Sequence, residues 1–215
     1  MVVTVVQRFL SGALAALSIT AAVATVGYLI HRHYDRVRAL THALELRYKL
    51  PYLQPVADPP QASRQAPTAV LLVSANRGVA MYMLERIRKL FPGHFRNFVL
   101  LSTGTVDTGS FGSDAALREL QYVNRGTLEY LANYLHHDGI PARWYDEYGT
   151  DRIAQLNELC ETARREYPNS VFFSSRLMFD REHWWNRWLH NQTSFTMQRL
   201  LHAVGAELIV LPVKL

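Results

Sequence analysis

Three polar stretches, each directly after an apolar run, carry the side chains best suited to holding an anion or a sugar. The first is Ser74-Ala75-Asn76-Arg77-Gly78, which leads into an amphipathic stretch. Amides at the start of a helix suit a phosphate. The pattern matches neither G-x-G-x-x-G nor G-x-x-x-x-G-K-[ST], and Asn or Ser as a helix cap with Gly78 for flexibility accounts for it without any ligand. The second stretch runs from Ser102 to Gly112 and is the most polar and Gly-rich part of the chain. Its hydroxyls, Thr103 among them, and Asp107 suit ribose, phosphate or a cation, and equally suit a surface cover held by Asx and Ser/Thr turns. The third opens with Ser174-Ser175-Arg176, where Arg176 is placed to pair with an anion; further on, Asn191-Gln192-Thr193-Ser194 precedes or interrupts the last helical stretch. The predicted ligand-binding set is therefore Ser74, Asn76, Arg77, Gly78, Thr103, Asp107, Ser174, Ser175, Arg176, Asn191 and Thr193.

Catalytic and metal chemistry is harder to find. His136-His137-Asp138 falls at a predicted helix end, where the imidazoles offer favourable charge, and His183 and His190 lack a ligand spacing. Cys160 is the only cysteine, so no internal disulfide can form; it lies mid-helix, where a buried inert thiol is expected. No G-x-S-x-G elbow or H-E-x-x-H pair occurs. The reading is a protein without catalytic residues, metal ligands or a resident cofactor. Trp184, Trp185 and Trp188 fit helix packing, with a docking face as the alternative.

The elements that must position these residues alternate regularly. Apolar runs at 68–74, 97–102, 142–148, 171–175 and 208–213 are separated by helical patterns over 79–91, 113–137, 150–167 and 184–204. Gly139 is placed to cap the second of these helices. Continuous apolar strands between amphipathic helices predict an α/β fold, a five-stranded parallel sheet covered on both faces. In such a sheet ligands sit beyond the carboxyl ends of the strands, where the three polar stretches fall.

Ahead of this domain the composition changes. Phe9 to Ile30 is a run of 22 residues without a formal charge, about 33 Å long as a helix and enough to span a bilayer. Residues 1–49 carry a net charge of +4 and the remainder only +1. The near-neutral body argues against nucleic acid as a partner. Arg8 precedes the run while His31-Arg32-His33-Tyr34-Asp35-Arg36-Val37-Arg38 follows it, which predicts a cytoplasmic C-terminal side. Ala22-Val23-Ala24 resembles a signal-peptidase site, but the apolar run continues past it into a basic stop, so an uncleaved anchor is the reading. Residues 1–38 form the anchor and its basic flank. Residues 39–66 form an amphipathic helix and a linker with Pro51, Pro55, Pro59 and Pro60, and 67–215 form the α/β domain.

In this order the chain resembles the C-terminal end of bacterial permeases of the amino acid/polyamine/organocation superfamily: a last membrane helix, a basic flank, a Pro-rich linker and a domain similar to universal stress proteins. The resemblance is carried by Pro67–Val73, Phe91–Val99, Val106–Gly109, Leu189–Arg199 and Leu211–Val213. It implies a bacterial inner-membrane protein with a cytoplasmic, Rossmann-like domain of strand order 3-2-1-4-5. It also implies a regulatory or interaction role toward an amino acid transporter, with membrane helices or self-association as partners. The nucleotide-binding stress proteins carry G-x2-G-x9-G-[ST] after the fourth strand, and Ser174 to Ser194 contains no glycine. That departure argues against ATP. The alternative is a sensor of a nucleotide or cyclic dinucleotide coupled to a membrane partner.

Overall fold

The computed structural model describes residues 2–48, 52–105, 114–178, 192–203 and 205–214. The chain divides into two compact units, Met1–Thr41 and His42–Leu215. The first lies within one long helix, α1 (Val2–Arg47). From Ala15 this helix is long and apolar enough to cross a membrane, and Leu17, Ile19, Val23, Val26 and Leu29 are all exposed along it.

The second unit is built on β1 (Thr68–Leu72), α2 (Arg77–Leu90), β2 (Asn97–Thr105), α3 (Asp114–His137), β3 (Ala142–Gly149), α4 (Arg152–Glu166), β4 (Ser170–Met178), α5 (Gln192–Ala203) and β5 (Leu208–Lys214). All strand pairs are parallel, in the order β3-β2-β1-β4-β5. The fold is the predicted α/β architecture with a five-stranded parallel sheet.

Alternation along the strands sorts the core into two layers. Ala69, Leu71, Phe98, Leu100 and Phe173 meet Leu84, Ile87, Leu128 and Leu131 of α2 and α3 on one face. Val70, Val99, Leu101 and Phe172 meet Leu156, Leu159 and Cys160 of α4 and Met197 and Leu201 of α5 on the other. Both faces of the central strand are thus buried, as its unbroken apolar sequence requires. Local signals set the helix ends. Asn76 Oδ1 accepts from the Val79 amide at 2.9 Å, and Asp151 Oδ1 accepts from those of Ile153 and Ala154. Gly139 closes α3 at φ 70°, a left-handed conformation that glycine adopts at least cost.

Several boundaries differ from the sequence reading. β2 continues through Thr105 and β4 through Met178, so Ser102, Thr103, Ser174, Ser175 and Arg176 stand in strands rather than in loops. The reason is pairing: Thr105 is in register with Gly149 and Met178 with Lys214, and a ladder is made by main-chain groups whatever the side chains. α2 begins at Arg77, two residues before the predicted start, because Asn76 provides the cap. The part of the last helical pattern before Gln192 lies outside the described residues.

Residues 42–66 belong to the compact unit that holds the sheet. Leu44 is buried against the α2/α3 layer. Further along, Asn97 Nδ2 donates to the Ser63 carbonyl at 2.6 Å while its Oδ1 accepts from the Ser63 amide. Asn97 is itself buried and also bonds Thr68 Oγ1 at 3.0 Å. The Pro-rich segment is thereby fastened at the amino end of the sheet.

Candidate functional site

The chain turns left from β1 to β2 and returns to the right of β1 with β4, so the switch point of the sheet lies between β1 and β4. Leu71 is in register with Phe173 there. The stretch after β1 and the part of β4 beyond Phe173 therefore flank one crevice: Ser74 and Asn76 follow β1, while Ser174 and Ser175 follow the last β1–β4 pair, with side chains on opposite faces of β4. Of these, Ser174 is buried and Asn76 already spends its side-chain oxygen on the α2 cap. Arg176 is in register with Pro212 of β5, one strand further out. Thr103 follows Leu101 by two residues and so shares its α4-facing side of the sheet; its hydroxyl is buried and has no hydrogen-bond partner among the described residues. Asp107 and Asn191 lie outside the described residues. Thr193 stands on the first turn of α5.

A cavity of about 690 Å³ lies beside this crevice rather than in it. The start of α2, the first half of α3 and the end of α1 enclose it. Arg77, Arg118 and Arg125 line it with Tyr122 and Thr127, and Glu45 and Glu129 oppose them. Of the sequence-predicted residues, Arg77 alone is part of this wall. Its guanidinium lies 5.4 Å from the centre of the Tyr130 ring, a cation–π distance. Burial raises the Tyr130 hydroxyl pKa above its ordinary value, and the Arg77 charge works against that rise. Arg125 donates to Asp146 at 2.7 Å, which ties α3 to β3. The Thr127 hydroxyl donates to the Ala75 carbonyl at 3.0 Å, which fixes the loop after β1 against α3.

Gly78 has a structural task at this wall. A Cβ built on it would stand 2.6 Å from the Glu45 amide nitrogen and 2.9 Å from the Leu44 carbonyl carbon. The end of α1 therefore crosses the first turn of α2 at main-chain distance. Only the missing side chain permits that approach.

The sequence reading missed Arg118, Tyr122 and Arg125. Their spacing of four and three residues places them on one helical face, a signal that was visible, although nothing local says what that face would meet. Among the described residues no group of three or more His, Cys, Asp or Glu comes together. Cys160 is buried, and burial pushes its thiol pKa up to about 12. It is a packed side chain of the α4 layer. His136 and His137 place ring nitrogens 3.1 Å and 2.9 Å from the carbonyls of Ala142 and Gln54. No protein-family model and no curated protein matches this chain.

Proposed function

We propose that this chain is a membrane-anchored regulatory or interaction domain, held by α1 at the bacterial inner membrane with its α/β unit in the cytoplasm. It acts as part of, or companion to, an amino acid transporter of the superfamily it resembles. The supporting observation is α1 itself, whose exposed apolar residues from Leu17 to Leu29 precede the basic run His31–Arg38. Apolar side chains in such number are stable in hydrocarbon and costly in water, and the basic flank favours the cytoplasmic leaflet. The described residues hold one candidate span, whereas a transporter of that superfamily binds its substrate among many membrane helices, which favours a regulatory role over transport by this chain alone. The test combines alkaline extraction of membranes with topology reporters fused after Leu215. The expected result is a chain that stays with the membrane and a reporter that reads cytoplasmic. A periplasmic reading, or a mature chain beginning at Thr25, overturns the proposal.

A second reading, a sensor for a nucleotide or cyclic dinucleotide, is favoured by one observation: the arginine-lined cavity has Glu45 of α1 in its wall. A ligand there would touch the segment leading to the anchor. Backbone approach to a triphosphate needs glycines that Ser174 to Ser194 lacks, so calorimetry on the full chain in detergent is expected to show no tight ATP binding. Micromolar binding of ATP or of a cyclic dinucleotide, lost on Arg77→Ala, would replace the interaction reading with the sensor.

A further inference from the structure

The strand order leaves two edges, β3 and β5, and they are built differently. An edge strand presents unpaired N–H and C=O groups that can template another strand. β5 carries the exposed Pro212, which lacks an N–H and blunts its edge. β3 has no proline, and its only glycine is the last of its eight residues. The Phe98 amide donates to the Pro141 carbonyl at 2.9 Å, and Phe98 is in register with Ala142. This sets the phase of the strand. Arg143, Tyr145 and Glu147 turn their main-chain groups toward β2, while Ala142, Trp144, Asp146 and Tyr148 turn theirs outward. The Ala142 carbonyl is met by His136. Among the described residues no backbone hydrogen bond reaches the outward groups of Trp144, Asp146 or Tyr148.

The charges along this edge are self-complementary. Arg143 and Glu147 flank Tyr145 and share its side of the sheet, the side on which the Tyr145 hydroxyl donates to Glu166 of α4 at 2.7 Å. If two copies align β3 antiparallel about a two-fold axis at Tyr145, Trp144 faces Asp146 of the second copy as a hydrogen-bonded pair. Arg143 then faces Glu147 of the second copy as a non-hydrogen-bonded pair, the kind whose side chains lie closest. Symmetry supplies this ion pair twice. An axis at Trp144 would set Arg143 against Tyr145, and an axis at Asp146 would set it against Gly149. Of these three registers, the Tyr145-centred one alone joins both charges.

We propose that the β3 edge is a self-association surface whose partner is a second copy of this chain, paired antiparallel about Tyr145 so that two five-stranded sheets become one. The interface is isologous, as closed dimers require. Two opposite charges placed symmetrically about Tyr145 repel neither copy, whereas a run of like charges would guard the edge.

The test uses the full chain in detergent micelles at low salt, with protein mass from analytical ultracentrifugation. Wild type is expected to be dimeric. Arg143→Glu and Glu147→Arg each set like charges opposite one another at both symmetric positions and should raise the dissociation constant roughly tenfold or more. The double variant R143E/E147R should return to the wild-type value. An equimolar mixture of the two single variants should form mixed dimers, because each copy then meets its complement, and that recovery also shows both variants folded. A wild-type chain that stays monomeric at every monodisperse concentration overturns the proposal. So does a dimer that both single variants leave unchanged, since it would be held elsewhere, for instance through α1.

Discussion

Gly78 shows how a single missing side chain can carry an architectural contact. Its sequence position suggested loop flexibility or phosphate binding, yet its neighbours are the main-chain atoms of Leu44 and Glu45. Gly78→Ala separates two opposed effects. In an isolated helix the exchange would stabilise by up to about 1 kcal/mol, since alanine is the better helix former. Here the added Cβ meets backbone rather than a pliable side-chain end, so the last turns of α1 must shift, and the cost should be about 1–3 kcal/mol. Thermal melts of the full chain in detergent are expected to show a lower midpoint, with faster proteolysis between Thr41 and Tyr48. A raised midpoint would mean that the contact does not hold. Residues whose role is local were the legible ones: Asn76 as a cap and Gly139 as a C-terminal stop follow from neighbouring sequence alone. Roles set by a distant partner were not. Nothing near Asn97 in sequence announces that it clamps Ser63, and nothing near Arg118 or Arg125 announces that they share a cavity with Arg77 and Glu45.

Element existence was readable because burial on both faces forces an apolar run, and burial on one helical face forces a 3.6-residue period. Element ends were less readable for the same reason. Once a strand passes the apolar core its ladder continues on main-chain bonds, so Ser102–Thr105 and Ser174–Met178 stay paired while their sequence looks like loop. This matters for the candidate site. Polar residues expected to move freely beyond the sheet are instead held in register with a neighbour, which fixes where their side chains point and which face they serve. The same logic separates the two edges. Pro212 is a local sign of a blunted edge in β5, whereas the openness of β3 depends on which groups β2 has already taken. The Pro-rich segment offers a further contrast. Its composition reads as a spacer, but its path is set by bonds to Asn97 and by Leu44 in the core, interactions that composition cannot encode.

At the scale of the whole folded unit, its buried and half-buried phenols and its thiol set an alkaline limit. Burial is the leading cause that raises the Tyr145, Tyr148 and Cys160 pKa values; a bond to Glu166 adds to the first, the charge of Asp146 to the second and the charge of Glu161 to the third. Tyr148 and Cys160 are both pushed up to about 12, and burial raises Tyr130 and Tyr167 in the same direction. These groups sit on α3, β3, α4 and the end of α4, so the effect is distributed over both layers rather than lodged in one site. Each is neutral when protonated, and the fold favours that form. The unfolded chain therefore ionises first, near the ordinary values of 9.0 for the thiol and 10.0 for the phenols. Below that range both states hold these protons and the contribution to stability is complete. Above it the unfolded chain binds fewer protons than the folded one, so stability falls as pH rises, until the folded groups ionise in turn. Denaturant midpoints measured from about pH 7 to about pH 11 should accordingly show no loss from these groups up to about 9 and a progressive decline beyond it. In the same titration, tyrosinate absorbance of the native chain should lag behind that of the denatured chain, and the Cys160 thiol should resist alkylation until the chain unfolds. A midpoint that stays level through the whole range, or a native tyrosinate curve that overlays the denatured one while the fold persists, would mean that these side chains are solvated and that the two core layers are not packed as described.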